Sequence, residues 1–123
     1  MRLYKLDKLN AVVIDNKELI CDEIISAENF FERLFGLIFM NLKANQGFLI
    51  NNCNSIHTFW MRYKIDLLFL DNNNEIIKIY ENFRQFKITP VIKNADKVIE
   101  FPASTIKKKF LKIGDKLKLI RCF

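Results

Sequence analysis

The side chains best suited to chemistry lie in one stretch, residues 53–66. It holds the only histidine, His57, and the only tryptophan, Trp60, and it ends in a carboxylate, Asp66. A histidine beside a carboxylate can perform acid–base catalysis, and a histidine with a cysteine can bind zinc. In an extended chain, however, Cys53 and His57 lie about 13 Å apart, too far to share a metal. We therefore predict no metal site and treat this stretch as a candidate ligand-binding site.

The roles of these side chains depend on how the segment pairs. If residues 62–65 form a hairpin loop, Met61 faces Asp66, and His57 lies on the same face but too far from Asp66 for a catalytic dyad. The Asp66 carboxylate then either binds backbone amides or Arg62, or it lines a polar pocket with Glu100. The candidate ligand-binding residues are His57, Thr58, Met61, Arg62, Asp66 and Glu100.

Known catalytic motifs are missing from the sequence. The three glycines are too far apart for G-x-G-x-x-G or G-x-x-x-x-G-K-[ST], and a single histidine excludes H-E-x-x-H. No serine or cysteine lies in a nucleophile elbow. We therefore predict no catalytic residue and no cofactor. A hydrolase or lyase using His57 with Asp66 or Glu100 is the weakest alternative, because it needs a register that brings these groups together.

Positive charge is concentrated in the last third of the chain. Residues 84–123 carry eleven of the twenty Lys/Arg and three of the fourteen Asp/Glu. This asymmetry is typical of a solvated lysine-rich face, which we favour, or of a surface for nucleic acid or another polyanion. The nearby rings, Phe101, Phe110 and Phe123, do not form an obvious stacking platform for bases. The alternative polyanion-binding residues are Lys107, Lys108, Lys109, Lys112, Lys116 and Lys118.

The sequence favours a cytoplasmic protein without a membrane span. Its longest apolar run, residues 34–40, is far shorter than the roughly 20 residues that a spanning helix needs. The first ten residues alternate charged and apolar side chains, unlike a signal peptide. Three widely spaced cysteines without a C-x-x-C motif fit reduced thiols.

Hydrophobic periodicity predicts strands with two helices between them. A hairpin over residues 11–22 precedes an amphipathic helix that starts behind Ser26 and ends near Gly36. Strands are predicted at 47–50, 55–61 and 66–71, and the last pairs with residues 75–80 across three asparagines. A strand over 97–101 leads to a short helix over 103–111, whose Ile106 and Phe110 face inward, and to a final strand over 116–120.

These elements predict an α+β fold with a mostly antiparallel sheet, which could close into a partial or complete β-barrel, and two short helices. No linker divides the chain, so we predict a single domain over residues 1–123. It comprises an N-terminal hairpin region, residues 1–25, and a core, residues 26–120.

Five short motifs follow one another between about Ser26 and Leu119. They are Glu32-Arg33-x-x-Gly36-Leu37, the run from Cys53 to Arg62, Ile65-Asp66-x-x-Phe69-Leu70-Asp71, Val98-Ile99-Glu100-x-Pro102-Ala103, and Gly114-Asp115. Their order resembles the uncharacterised family called domain of unknown function 192. The resemblance implies a sheet-rich domain with a barrel-like β core and short helices, and no particular activity. This chain has Lys64 and Ser104 where the family commonly has proline and glycine.

The sequence therefore predicts a small non-enzymatic module that binds an unknown small ligand or a protein partner around His57, Asp66 and Glu100. Nucleic-acid binding through the C-terminal lysines is the alternative.

Overall fold

The computed structural model describes residues 8–13, 19–27, 42–59 and 61–121. Most of the secondary structure in these residues is β-strand. The elements are β1 (Lys8–Val13), β2 (Leu19–Ala27), β3 (Gln46–Asn51), β4 (Ile65–Leu70), β5 (Ile76–Phe83), β6 (Lys97–Pro102), helix α1 (Thr105–Lys108) and β7 (Leu117–Arg121).

The strands form one mixed sheet in the order β5-β4-β6-β3-β2-β1-β7. All neighbouring strands pair antiparallel except β2 and β3, which pair parallel. A single bridge between Glu75 and Lys116, the residues just before β5 and β7, joins the two ends of this order. The prediction of a mostly antiparallel sheet is confirmed. Within the described residues the sheet is not a closed barrel, since its outer strands meet only where they begin, through that bridge and backbone hydrogen bonds between residues 74–76 and 114–117.

Both faces of the central sheet are covered by apolar side chains. Every residue of β4 is buried, which explains its nearly continuous apolar sequence. The helix-side core contains Ile24, Leu49, Leu68, Leu70, Ile76, Ile99, Phe101, Ile106, Leu111 and Leu117. The loop-side core contains Ile25, Phe48, Ile50, Ile56, Met61, Ile65, Leu67, Phe69 and Val98. Because successive side chains alternate along a strand, β4 contributes to both cores.

Most of the predicted strands are confirmed. Strands β1 and β2 pair as the expected hairpin, and β3, β4, β5, β6 and β7 lie close to their predicted positions. At the turn between β4 and β5, Asn74 has the positive φ, 61°, that asparagine tolerates. The predicted Ser26 helix cap is wrong, because Ser26 and Ala27 pair with Leu49 and Ile50 as the end of β2. The rest of this predicted helix, from residue 28 to its expected end near Gly36, lies outside the described residues.

The predicted pairing of residues 55–61 with β4 is also wrong. Strand β4 already has β5 on one side and β6 on the other, so neither of its edges is open. Residues 54–58 instead run beside residues 84–92, where His57 forms an isolated bridge with Ile88. The predicted common face of His57, Met61 and Asp66 therefore does not exist.

The second predicted helix is shorter than expected. Helix α1 ends in a Schellman motif: the Leu111 amide donates to the Ile106 carbonyl (3.1 Å) and the Phe110 amide to the Lys107 carbonyl (3.3 Å). Phe110 takes the left-handed position of this motif, with φ 55°. Leu111 is therefore buried beside Ile106, while Phe110, predicted to face inward, is 83% exposed.

Replacing Ser104 with glycine is expected to stabilise the fold by about 1 kcal/mol. Ser104 precedes α1 with φ 73° and its side chain makes no capping hydrogen bond, so its Cβ carries a conformational cost without a compensating contact. Urea denaturation of S104G, compared with S104A, measures this difference. Equal midpoints for the two variants would show that the left-handed backbone costs nothing here.

Candidate functional site

The Asp66 carboxylate is buried and fully used by the backbone. Its side chain is 0% exposed. Oδ1 accepts a hydrogen bond from the Asn82 amide (2.8 Å), and Oδ2 accepts one from the Ile106 amide (2.9 Å). Of the two roles predicted for Asp66, the binding of backbone amides is the one observed. The carboxylate ties the end of β5 to the first turn of α1.

Glu100 lies on the other face of the sheet. It pairs with Leu67 of β4 and Phe48 of β3, whereas Asp66 pairs with Phe101. Directly paired residues share a face, so Glu100 points to the loop-side core and Asp66 to the helix-side core. Both side chains are fully buried. The prediction that the two carboxylates line one polar pocket is wrong, because adjacent positions on paired strands alternate between faces.

Thr58 connects two loop segments. Its buried hydroxyl donates to the Arg84 carbonyl (2.6 Å) and accepts from the Lys87 amide (3.0 Å). Its backbone amide donates to the Lys87 carbonyl (2.8 Å), and its carbonyl accepts from the Phe86 amide (3.1 Å). The side chain predicted to bind a ligand thus fixes the position of residues 84–87.

The other predicted ligand-binding residues of this segment occupy different environments. Met61 is buried in the loop-side core, and Arg62 is exposed. His57 is half-buried, and its ring stacks on Phe59 with 5.3 Å between centroids and 21° between planes. Cys53 is half-buried, and its thiol donates to the Ser55 carbonyl (3.2 Å). His57 and Arg62 therefore reach the surface, whereas Met61 does not.

Large apolar side chains are exposed around His57. Phe59, Phe86 and Ile88 are 46%, 74% and 65% exposed. We call these three residues with His57 the outer apolar patch. The sequence prediction missed Phe86 and Ile88, because the alternation of Gln85-Phe86-Lys87-Ile88 predicts a buried apolar face, whereas Phe86, Lys87 and Ile88 are all exposed.

The outer apolar patch lies in a basic setting. Neither residues 53–65 nor residues 84–93 contain an aspartate or a glutamate. Arg62, Arg84 and Lys87 are exposed within these segments. The patch therefore combines apolar side chains with positive charge.

The C-terminal lysines are largely exposed, and among the described residues one of them, Lys112, pairs with an acid of the same region, Asp115. Lys107, Lys108, Lys112, Lys116 and Lys118 are exposed and Lys109 is half-buried. Glu100 is buried, Asp115 is buried beside Lys112 (3.1 Å), and Asp96 pairs with Lys97 (2.9 Å). The positive charge counted in the sequence is therefore displayed on the surface.

A family model covers most of the chain. The model of DUF192, described as "Uncharacterized ACR", matches residues 12–119. The chain belongs to the DUF192 family. This result confirms the resemblance seen in the five motifs, and the family's function is not established.

Two archaeal proteins are similar to this DUF192 member in sequence. A UPF0127 protein of Pyrococcus furiosus is 27% identical over 100 residues, covering 78% of this chain and 85% of the relative. A UPF0127 protein of Pyrococcus abyssi is 32% identical over 98 residues, covering 76% of this chain and 83% of the relative.

Two crystal structures share the fold. A protein of Sinorhizobium meliloti, described provisionally as a transcription regulator, matches with a TM-score of 0.73 and 18% identity, covering 94% of this chain and 95% of that chain. A protein of unknown function from Novosphingobium aromaticivorans matches with a TM-score of 0.74 and 15% identity, covering 90% and 83%. At these identities the likeness is one of fold alone.

Two clefts lie away from the predicted ligand-binding residues of this DUF192 member. A cleft of about 100 Å³ separates residues 44–46 from residues 102–109, and one of about 410 Å³ lies between residues 71–72 and 94–96. In the larger cleft, Asp71 Oδ1 already accepts from the Asn73 and Glu75 amides.

Among the described residues, no cluster of three or more His, Cys, Asp or Glu side chains could hold a metal ion. The same residues include no helix with the length and apolar character needed to span a bilayer.

Proposed function

We propose that this DUF192 member is a small non-enzymatic binding module whose outer apolar patch engages a protein partner. The observation that carries the proposal is the exposure of Phe59, Phe86 and Ile88 beside His57. Clustered large apolar side chains are costly in water, and such patches typically mark protein contacts.

The backbone beneath the outer apolar patch is well fixed. Thr58 and Thr89 are buried and hydrogen-bonded across the two loop segments: the Thr89 amide donates to the Ile56 carbonyl (2.8 Å), and Thr89 Oγ1 accepts from the Ile56 amide (3.0 Å). Phe86 has a left-handed backbone, φ 58°, which is unfavourable for an aromatic residue. A backbone that these hydrogen bonds already hold in place needs little further ordering on binding, which favours a preorganised contact.

The charges suggest the chemistry of the partner. Arg62, Arg84 and Lys87 are exposed, and the two segments that carry them have no acidic residue. We infer that the partner presents an apolar side chain flanked by aspartate or glutamate. Complementary charges of this kind speed association and select the partner.

The acid–base alternative pairs His57 with Asp66 or Glu100. Asp66 is engaged by two backbone amides and points to the helix-side core, whereas Ile56, next to His57, lies in the loop-side core. A general acid or base must reach the reacting group, so this arrangement argues against the pair of His57 and Asp66. Glu100 points to the loop-side core, and we keep its pairing with His57 as an outcome to be tested.

The nucleic-acid alternative rests on the exposed C-terminal lysines. Among the rings in the described part of this region, Phe101 is buried and Phe110 is exposed. A stacking platform for bases uses several rings in succession, so one exposed phenylalanine gives it weak support. We keep nucleic-acid binding as an outcome to be tested.

The proposal is tested by selecting peptides from a random phage-displayed library on the immobilised full chain. We expect enriched sequences that combine an aromatic or large aliphatic residue with aspartate or glutamate. For a selected peptide, Phe86→Ser should weaken binding about tenfold or more, since truncating a central aromatic anchor typically costs about 2 kcal/mol. Fluorescence polarisation with the labelled peptide measures the dissociation constant.

The matched control is Phe110→Ser, which removes another exposed ring with a left-handed backbone and should leave peptide affinity unchanged. Enrichment of peptides without acidic residues, or equal loss in both variants, would contradict the proposal. Unchanged binding by Phe86→Ser would do so as well.

A further inference from the structure

The contacts described within the chain do not explain why residue 110 is a phenylalanine. It occupies the left-handed position of the Schellman motif, which is usually taken by glycine. Its ring is 83% exposed, and the buried contacts of the motif are made by Ile106 and Leu111 instead. Its backbone conformation costs folding free energy and its exposed ring gains little by burial, and such a residue points to a contact outside the chain.

Exposed apolar side chains lie among basic ones around Phe110, as they do in the outer apolar patch. Ile113, three residues later, is 61% exposed. Lys107, Lys108 and Lys112 are exposed around them. We call residues 107–113 the Phe110 loop. It contains no acidic residue, and Asp115, the next acid in the chain, is buried beside Lys112.

We propose that the Phe110 loop binds the surface of an anionic lipid bilayer. Phe110 and Ile113 enter the boundary between headgroups and acyl chains, while the lysines face the negatively charged headgroups. Apolar insertion and electrostatic attraction together give reversible peripheral binding.

A bilayer fits these side chains better than a nucleic acid does. Lysines alone could bind either a nucleic acid or an anionic bilayer. The second exposed apolar residue, Ile113, is aliphatic and offers no face on which a base can stack. Acyl chains accept both phenylalanine and isoleucine. The charge and apolar pattern of the loop thus matches a lipid surface.

The Phe110 loop is separate from the outer apolar patch. Ile106 and Leu111 anchor the loop to the helix-side core. Ile56, which precedes His57, lies in the loop-side core on the other face of the sheet. The inference therefore does not depend on the proposed protein partner.

The test is sedimentation of the full chain with phosphatidylcholine vesicles, with and without phosphatidylserine. We expect binding to the anionic vesicles only. Raising the salt from about 0.1 M to about 1 M shortens the Debye length from about 10 Å to about 3 Å and should release the protein. The double variant Phe110→Ser with Ile113→Ser should weaken binding about tenfold or more, because it removes both inserted side chains.

Two further variants separate the loop from general charge and from the fold. Phe110→Gly should raise the urea midpoint, because glycine suits the left-handed position, yet weaken vesicle binding. Lys107→Glu with Lys108→Glu should abolish binding. Lys87→Glu with Lys93→Glu is the matched control: it makes the same charge change at exposed residues of the 84–96 segment and should bind normally.

Several outcomes would overturn the inference. These are equal sedimentation with neutral and anionic vesicles, equal loss in the Lys87 and Lys93 control, and normal vesicle binding by Phe110→Gly. Tighter binding to a labelled oligonucleotide than to vesicles, lost with Lys107→Glu and Lys108→Glu but unaffected by Phe110→Gly, would assign the lysines to nucleic acid instead.

Discussion

Replacing Asp66 with alanine is expected to lower the free energy of unfolding by about 3 kcal/mol or more. The side chain is 0% exposed, and its two oxygens accept the Asn82 and Ile106 amides at 2.8 and 2.9 Å. Alanine would leave two donors without their acceptors and separate the end of β5 from α1. Urea denaturation, followed by circular dichroism, measures the loss.

Asp71→Ala is the matched control for this prediction. Asp71 Oδ1 also accepts two backbone amides, those of Asn73 and Glu75, but in a turn where Asn73 is exposed. Water can replace the lost acceptor there, so we expect a cost of about 1 kcal/mol. If Asp66→Ala unfolded at the same urea concentration as Asp71→Ala, the structural role of the buried carboxylate would be refuted. A ligand-binding role would then be the better explanation of Asp66.

Replacing Gly47 with alanine is expected to cost about 2 kcal/mol, although alanine is usually a mild substitution. A Cβ at this position in β3 would lie 2.8 Å from Phe101 Cε1 and 3.3 Å from Ile99 Cγ2. Both neighbours are fully buried in the helix-side core, so neither can move aside easily. The penalty is one of packing. Thermal or urea unfolding of the variant gives its size.

A double-mutant cycle identifies the cause of this penalty. Phe101→Leu removes the ring that the new Cβ would meet, so Gly47→Ala should cost much less in the Phe101→Leu background than in the parent chain. Gly114→Ala is the comparison: Gly114 has φ 98°, and a Cβ added there would meet no heavy atom within 4 Å, so its cost comes from the backbone. That cost should not change in the Phe101→Leu background. Additive effects of Gly47→Ala and Phe101→Leu would argue against the steric explanation.

The sequence predicted the strands well because the signals that define them are local. The apolar run of β4, the asparagines before β5 and the proline that ends β6 each act on a few neighbouring residues. Pairing is not local. The hairpin considered for residues 55–61 and β4 would join neighbours in the chain, but β5 and β6, from later in the sequence, occupy the two edges of β4.

The candidate site was harder to predict because it depends on strand register. The two acids, Asp66 and Glu100, share a buried environment, but the pairing of Leu67 with Glu100 places them on opposite faces. Periodicity likewise assigned Phe110 to the core, because Ile106 and Phe110 are four residues apart. Helix α1 ends at Lys108, so Phe110 lies beyond it and the four-residue helical spacing does not apply. No glycine follows Lys108 closely enough to mark this end in the sequence.

The pairing of β1 with β7 has a consequence for the order of folding. Leu9 pairs with Arg121, and Val13 with Leu117, so one ladder of the sheet joins residues near opposite ends of this sequence. Contacts so distant in sequence raise the contact order and slow folding. During synthesis, β1 can pair with β2 early, but its second edge has no partner until β7 has left the ribosome. The nascent sheet therefore exposes the unpaired edge of β1 until β7 arrives, and such an edge is prone to aggregation.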